Sequence, residues 1–194
     1  MITVSTSNSA ARAYHHGDLR SALVEAGLKA LKTTAVTDLS LRQLARDVGV
    51  SATAVYRHFP DKQALLGALA SEGIEQLGRF QQAAAKNVAS QADSFAATGQ
   101  AYVRFALANP ALFRLIFSQQ EPVGQSIFGD NLPAQMLRTM AAASVGGDPD
   151  ETQRLMVQAW AVVHGLAMLM LDQQLPPDDA MIARVIDPAT LFPR

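Results

Sequence analysis

The sequence predicts an all-α protein, and three observations lead to that prediction. No segment of the 194 residues alternates between apolar and polar residues as a half-buried strand does. Apolar residues instead recur every three or four positions along the chain, which is the period of a helix. An apolar share of 49% beside a charged share of 17% is typical of a folded globule with a sizeable core.

The first 72 residues are predicted to form a flexible arm, residues 1–14, and a compact three-helix domain, residues 15–72. A first helix is expected over about 17–32, a short helix over 41–48 after Ser40 as N-cap, and another from Ser51 to about residue 59. Pro60 is expected at the first position of a longer helix that ends near residue 85.

Residues 73–194 are predicted to form a helical body. Helices are expected over 91–108, from Asn109-Pro110 to residue 118, over 132–145 and 150–173, and from Pro176-Pro177 to about residue 186, with a loop over 121–133. The most apolar run, Ala159–Leu171, is 13 residues long, whereas a bilayer span needs about 20. It is therefore predicted to be a buried helix, and no membrane partner is expected.

Two short helices joined by Gly49 have the pattern of a helix-turn-helix. Glycine suits the left-handed position after a helix C-terminus, and Ser51 can cap the helix that follows. Apolar side chains at helical spacing define an inner face. Its members are Leu41, Leu44, Ala45, Val48, Val55 and Phe59.

The outer face of the second short helix combines very small side chains with cationic and aromatic ones. A helix lies deep in the DNA major groove only if its leading side chains are short, and flanking Tyr, His and Lys side chains can then reach phosphates. Residues 1–62 hold eight Lys/Arg and five Asp/Glu, whereas the rest holds eight and twelve. DNA binding explains this clustering better than the alternative, a structural corner in an ordinary helical bundle.

The segment from Ser40 to Leu66, SLRQLARDVGVSATAVYRHFPDKQALL, closely resembles the DNA-binding domain of the tetracycline-repressor (TetR) family of bacterial regulators. The resemblance covers about residues 14–70. Family positions are matched by Ala45, Gly49, Val50, Tyr56, Phe59, Lys62 and Leu65. One departure is the lack of glycine in KTTAVTD, residues 32–38, where many members have one in the turn between the first two helices.

The resemblance implies a homodimeric, sequence-specific regulator, most often a repressor. Such a regulator binds an inverted repeat in double-stranded DNA and responds to a small-molecule effector. It places Ala52, Thr53, Ala54 and Arg57 towards bases, Arg42 within reach of a base, and Tyr56, His58 and Lys62 on phosphates. The predicted DNA-binding set is Ser40, Arg42, Ser51, Ala52, Thr53, Ala54, Tyr56, Arg57, His58 and Lys62. Trp160, His164 and Gly165 resemble the body of a subgroup named for a Trp-His-Gly element.

Aromatic and adaptable side chains of the body are the candidates for an effector site. The predicted set is Phe95, Tyr102, Phe105, Phe113, Phe117, Trp160, His164 and Met168. Such a stripe is also what a plain core contains, and Trp160 and His164, which share a helix face, fit a pocket wall, a core or a dimer seam equally well. Gly165 is predicted to mark a close helix contact, in the dimer seam or beside the pocket.

Several other functions lack support in the residues. The chain has no cysteine, so thiolate metal sites, disulfides and cysteine nucleophiles are excluded. Adjacent His15 and His16 point apart on a helix and have no third ligand at a recognisable spacing, so neither a metal nor another cofactor is predicted. No nucleophile elbow or phosphate loop is present, so an enzyme is the least favoured class. The N-terminus lacks the apolar segment of a signal peptide, and a cytoplasmic protein is expected. The alternative function is a helical ligand-binding or adaptor protein with a degenerate head.

Overall fold

The structure is a computed structural model that describes residues 19–86, 88, 90–118 and 128–187. These residues form helices and no strand, as the periodicity predicts. The predicted arm, the pair His15 and His16, and residues 121–127 of the predicted loop lie outside the described residues. The helices are α1 (Leu19–Ala30), α2 (Leu41–Val48), α3 (Ala52–His58), α4 (Lys62–Ala85), α5 (Gln91–Ala108), α6 (Pro110–Ser118), α7 (Leu132–Ser144), α8 (Pro149–Leu171) and α9 (Asp179–Val185).

The turn between α2 and α3 has the geometry that its sequence predicts. Gly49 adopts φ 80°, in the left-handed region, and the Val50 amide donates to the Ala45 carbonyl over 2.9 Å. The Ser51 hydroxyl accepts a hydrogen bond from the Ala54 amide over 3.2 Å and so caps α3. Ser40 stands at the N-cap position of α2 but makes no capping hydrogen bond through its side chain. The turn therefore fixes the angle between the two helices.

Two helix starts differ from the prediction, and the cause is the same in both. Pro60 does not begin α4, because Asp61 caps it by accepting from the Ala64 amide over 2.8 Å. Pro176-Pro177 likewise precedes the real start of α9, where Asp178 accepts from two amides over 3.0 and 3.2 Å. A carboxylate at the N-cap satisfies free amides and complements the helix dipole, so it defines the start more strongly than a nearby proline.

The turn between α1 and α2 is closed without the glycine that many family members have. The amides of Thr33 and Thr34 both donate to the Ala30 carbonyl, over 3.0 and 2.9 Å. A short 3-10 helix, Val36–Asp38, follows between two buried leucines, Leu31 and Leu39. The residues of this turn all have negative φ. Glycine is therefore unnecessary here, and the departure from the family pattern has a conformational explanation.

One hydrophobic core runs from the first three helices into the body, and α4 connects the two parts. A methyl group added at Gly27 of α1 would lie 2.8 Å from Leu69 of α4, and one at Gly73 would lie 2.7 Å from Leu112 of α6. The backbones of these helices therefore approach closely on both sides of α4. The boundary predicted between residues 72 and 73 falls inside this continuous helix.

The long helix α8 packs one face into the core and leaves another uncovered. Among the described residues it alone has the length and apolar composition of a bilayer span, although only 39% of its most apolar window is buried. Gly165 lies on this helix, yet a Cβ built there meets nothing within 4 Å. The predicted close contact at Gly165 is therefore not made within the protomer, and a contact in a dimer seam stays a prediction.

Candidate DNA-binding face and effector cavity

The helix α3 separates a buried face from a polar outer face. Val55 and Phe59 are 0% and 1% exposed, which anchors the helix on α1 and α2. Thr53 and Arg57, one turn apart, are exposed on the opposite side, and Tyr56 is exposed beside them. Ala52 and Ala54 at the N-terminal end are half-buried. The outer face therefore carries short side chains at its N-terminal end, and long aromatic and cationic side chains at its C-terminal end.

Polar side chains from neighbouring elements border this face. Ser40, Ser51 and His58 are exposed, and Arg42 is exposed in the first turn of α2. Lys62, in the first turn of α4, is half-buried, and its Nζ donates to the Thr37 carbonyl over 2.6 Å. An ammonium group has three donors, so this contact leaves two for another acceptor. Lys62 therefore ties α4 to the turn between α1 and α2, a contact that the sequence pattern did not predict.

A second contact that the sequence did not predict supports the end of α3. The guanidinium of Arg20 lies 5.3 Å from the centre of the Phe59 ring. Phe59 follows α3 as its C-cap residue. A cation over an aromatic face is attracted by the ring quadrupole, so Arg20 on α1 helps to hold the recognition helix against the head. The clue available in the sequence was only the presence of Arg in the first helix.

The body contains a cavity between α4, α5, α6, α7 and α8. Its enclosed volume is about 60 Å³. The whole empty space around it, including the part that is open to solvent, is about 660 Å³. None of the described residues in its wall carries a formal charge at neutral pH. The wall consists of Ile74, Leu77, Gln81, Phe95, Thr98, Gly99, Tyr102, Phe117, Asn131, Pro133, Ala134, Met136, Leu137, Ala159, Trp160 and Val163.

An aromatic cluster closes one end of this cavity. The Phe117 ring lies 4.9 Å from the His164 ring and 6.4 Å from the Trp160 ring, measured between centroids. Phe113, which is fully buried, lies 4.9 Å from Phe117 and 5.4 Å from Tyr102. Aromatic rings at these distances attract through their quadrupoles as well as through buried area. The cluster therefore couples α5, α6 and α8 at the cavity.

A hydrogen-bonded chain runs through the same cluster. The Tyr102 hydroxyl and His164 Nδ1 are 2.8 Å apart, and the Trp160 side chain also hydrogen bonds to Tyr102. The indole nitrogen can only donate, so the tyrosine oxygen accepts from Trp160. A hydroxyl oxygen has a second lone pair as well as its own proton, so the contact between Tyr102 and His164 fits either imidazole tautomer.

Burial keeps both titratable groups of this chain neutral. Desolvation raises the pKa of Tyr102 far above its ordinary value, and the hydrogen bond from Trp160 opposes this only in part. Desolvation lowers the pKa of His164 below its ordinary value. Each shift disfavours the charged form. The cavity end at Trp160 is therefore uncharged at neutral pH, like the rest of the wall.

The predicted effector residues divide into three groups. Four of them line the cavity, namely Phe95, Tyr102, Phe117 and Trp160. Phe113 and His164 belong to the aromatic cluster behind the wall. Phe105 pairs with Phe80 over 6.1 Å, and Met168 packs against the core outside the cavity. A role of these residues in ligand binding stays a prediction.

The contribution of α4 and α7 to the cavity was not predicted from the sequence. Ile74, Leu77 and Gln81 lie three and four positions apart on α4 and all line it, and Asn131 lines it at the start of α7. The helical spacing of the α4 residues was a visible signal. Its polar member, Gln81, stands where a purely structural face would carry an apolar side chain, and this could have singled it out.

The charged residues of α5 and α6 point away from the cavity. Arg104 pairs with Asp179 of α9 over 2.6 Å, and Arg114 pairs with Asp172 after α8. Within the described part of the chain, no three His, Asp or Glu side chains lie together as a metal site would require. The wall of the cavity is thus neutral and mainly apolar.

The helix α3 begins with small residues, and a glycine turn holds it against α1 and α2. This arrangement is the helix-turn-helix of DNA-binding proteins. Comparison with known families agrees with this class. The model described as bacterial regulatory proteins of the tetR family matches residues 23–69, and the model described as tetracyclin repressor-like, C-terminal domain, matches residues 95–188. The chain belongs to the TetR family, and it is a DNA-binding transcriptional regulator.

Solved structures show the same architecture over nearly the whole chain. A protein of unknown function from Rhodococcus sp. RHA1 is 31% identical, with a TM-score of 0.76 over 93% of this chain and 96% of that chain. A TetR-family regulator from Streptomyces coelicolor is 17% identical, with a TM-score of 0.60 over 89% of this chain and 79% of the other. A regulator of the TetR/AcrR family from Thermobifida fusca YX-ER1 is 15% identical, with a TM-score of 0.62 over 91% and 98%. The last two likenesses concern the fold alone.

Proposed function

We propose that this regulator works in the cytoplasm as a homodimeric repressor that binds an inverted repeat through α3 and is released by a small neutral ligand in the cavity of its body. The observation that carries the proposal is the division of α3. Val55 and Phe59 are buried, whereas the cationic and aromatic residues opposite them are exposed among the described residues and are free to contact DNA. The short side chains at the N-terminal end of α3 leave room for base pairs.

The roles proposed on DNA follow the geometry of this face. Thr53 and Arg57 share the exposed side of α3, which fits two side chains that enter one groove. Arg42 lies at the start of α2, from which a long side chain can reach a base at the edge of the half-site. Phosphate contacts are proposed for the bordering residues, which fix the register of the helix in the groove. These are Ser40, Ser51, Tyr56, His58 and Lys62, while Ala52 and Ala54 are proposed to touch bases through their methyl groups.

The dimer seam is proposed to lie along the uncovered face of α8. Val157, Ala161, Gly165 and Leu169 follow each other at intervals of four residues and form one ridge. Val157 and Leu169 are 45% and 44% exposed, and nothing lies within 4 Å of a side chain built at Gly165. A second copy of the ridge would bury this apolar stripe, with the small residues at the crossing and an interhelical angle of about −50°.

The effector is proposed to be neutral and mainly apolar. The wall of the cavity has no formal charge and is dominated by aliphatic and aromatic side chains. An unpaired charge buried there would cost several kcal/mol. The enclosed volume of about 60 Å³ lies below the range of about 300–1,000 Å³ that is usual for small-molecule sites, so the helices around the cavity are proposed to move apart when the effector binds.

The route from the cavity to the DNA is proposed to be α4. This helix lines the cavity with Ile74, Leu77 and Gln81 and begins at Lys62, beside the end of α3. A ligand that widens the cavity must displace α4 or the helices packed on it, because α4 and α6 are already in close contact where Gly73 meets Leu112. The two heads then move apart or rotate, and the population shifts to a spacing that does not fit adjacent major grooves.

Fluorescence of the single tryptophan tests the proposal in one titration. Trp160 lines the cavity, so an apolar ligand that releases DNA should also change its emission. The variant His164→Ala should weaken this ligand more than it weakens DNA binding, because His164 holds Tyr102 in place. A strongly charged effector that releases DNA without any change at Trp160 would place the effector site elsewhere.

A further inference from the structure

Gln81 brings a fixed hydrogen-bond acceptor to the cavity. Its side-chain nitrogen donates to the backbone carbonyl of Thr98 over 3.1 Å. A carbonyl can only accept, so this contact fixes the orientation of the amide, with Nε2 towards α5 and Oε1 elsewhere. Oε1 is buried and has no hydrogen-bond partner among the described residues. Because Gln81 lines the cavity, a molecule bound there can supply the missing donor.

Neighbouring polar groups of the wall are already engaged by the protein. The Thr98 hydroxyl donates to the Phe95 carbonyl over 2.7 Å. The Tyr102 hydroxyl is hydrogen bonded to His164 Nδ1, and the Trp160 side chain is bonded to Tyr102. The Asn131 side-chain oxygen accepts from the Ala134 amide over 3.0 Å and so caps α7. Gln81 Oε1 differs from these groups, because no described residue satisfies it.

We propose that the cavity selects apolar molecules that carry a hydroxyl group or another neutral donor, and that Gln81 Oε1 accepts the hydrogen bond. This inference rests on the effector cavity proposed above. A buried acceptor left without a partner keeps its full desolvation penalty, whereas a partnered one does not. A ketone, ether or ester of the same shape brings only a second acceptor to Gln81. Alcohols and phenols are thus preferred over their acceptor-only analogues and over plain hydrocarbons.

The matched probes are cyclohexanol and cyclohexanone, which have nearly the same size and differ in the donor. Each is titrated into the intact protein by calorimetry, with Trp160 emission as a second signal. The wild-type protein is expected to bind the alcohol about 10-fold more tightly than the ketone, the range of one satisfied buried hydrogen bond. The variant Gln81→Met keeps the length of the side chain without its acceptor, and should bind the two probes equally.

The control is Gln82→Met, which makes the same change at an exposed neighbouring position of α4. It should keep the preference for the alcohol. A thermal melt separates selection from a structural role of Gln81. Gln81→Met removes the unpartnered buried oxygen and also the bond from Nε2 to the Thr98 carbonyl, two effects of opposite sign, so its Tm should stay close to that of the wild-type protein. A lowered Tm with the preference intact would show that Gln81 only joins α4 to α5, and would overturn the inference.

Two further outcomes distinguish this inference from the effector site on which it rests. Equal binding of alcohol and ketone by the wild-type protein, with a change in Trp160 emission for both, would overturn donor selection and leave the effector cavity standing. Absence of binding by both probes at millimolar concentration would contradict the effector cavity itself, and donor selection would be overturned with it.

Discussion

The head and the body of this protein place their polar side chains on opposite sides of their cores. In the head, Val55 and Phe59 fill the interior completely, and the cationic and aromatic groups of α3 face outwards. In the body, Gln81, Tyr102 and Trp160 face inwards, onto a cavity, while Arg104 and Arg114 are paired outside it. The polar groups of the head thus face outwards, as the proposed contact with DNA requires, and those of the body face the cavity, as the proposed neutral ligand requires.

The largest loss of DNA affinity is expected from a substitution at Gly165, which lies on the apolar outer face of the body. The variant Gly165→Leu adds a side chain where the protomer has open space, so each protomer should still fold. If two copies of α8 cross there, the variant becomes monomeric, and DNA affinity falls by about 100- to 10,000-fold because the second head is lost. Light scattering after size exclusion gives the mass, and a DNA titration gives the affinity.

The control for that experiment is Gly67→Leu. Gly67 also lies inside a helix, and a side chain built there meets nothing within 4 Å. Both variants gain helix propensity, so a difference between them reports on the surface at Gly165. A dimer with wild-type DNA affinity in Gly165→Leu would refute the proposed seam.

A negative charge introduced on the outer face of the head should have the next largest effect. Thr53 is exposed on α3, and Thr53→Glu would set a longer, negative side chain towards the groove. We expect DNA affinity to fall by about 100-fold, because bases lose a contact and phosphates repel the carboxylate. Gln91→Glu makes the same change of net charge in the first turn of α5, and should leave DNA binding unchanged. Equal losses in both variants would indicate only a general effect of charge.

Arg42 and Lys62 test whether the border of the head contains two kinds of contact. Arg42→Ala should cost about 1–3 kcal/mol and relax the preference at one position of each half-site. Lys62→Ala should weaken all sequences alike and flatten the salt dependence. It also removes the bond to the Thr37 carbonyl, so a modest loss of stability should accompany it. Selection of bound DNA at two salt concentrations distinguishes the variants. A uniform loss across sequences in Arg42→Ala would contradict its assignment to a base.

The smallest predicted effects concern two helix ends, one in each region. Gly49 after α2 and Gln173 after α8 both have positive φ, 80° and 59°. Only glycine adopts this conformation without strain, so Gly49→Ala should destabilise the protein by about 1 kcal/mol and Gln173→Gly should stabilise it by a similar amount. Chemical denaturation measures both. Changes of the same sign would show that backbone conformation is not the deciding factor.

The difference between head and body also explains what could be predicted from the sequence. Helix ends with local signals were predicted well. The bounds of α5 follow from Ser90, which caps it, and α6 begins at Pro110 as expected. In the head, the bounds of α2 and α3 were predicted to within one residue, because a glycine turn and a capping serine are local signals, whereas the roles of their side chains on DNA stay predictions. The starts of α4 and α9 were wrong because proline and a capping aspartate competed within three residues.

The cavity was predicted less completely because its wall comes from five helices. Phe95, Tyr102, Phe117 and Trp160 line it, whereas Phe105 and Phe113, which have the same character, are rotated away. Rotation of a helix within a bundle depends on its neighbours, so the sequence of one helix does not determine it. Gln81 was missed for the same reason, since its importance lies in a carbonyl on α5 that it meets across 17 residues of sequence.

Selection of DNA from a random pool by the intact protein tests most directly that paired heads read DNA through α3. We predict an inverted repeat whose half-sites are centred about 34 Å apart, or a multiple of that distance, along the duplex. Thr53→Glu should recover no such site, and Gln91→Glu should recover the wild-type one. A recovered site without two-fold symmetry, or one that Thr53→Glu recovers equally well, would contradict this reading of the head.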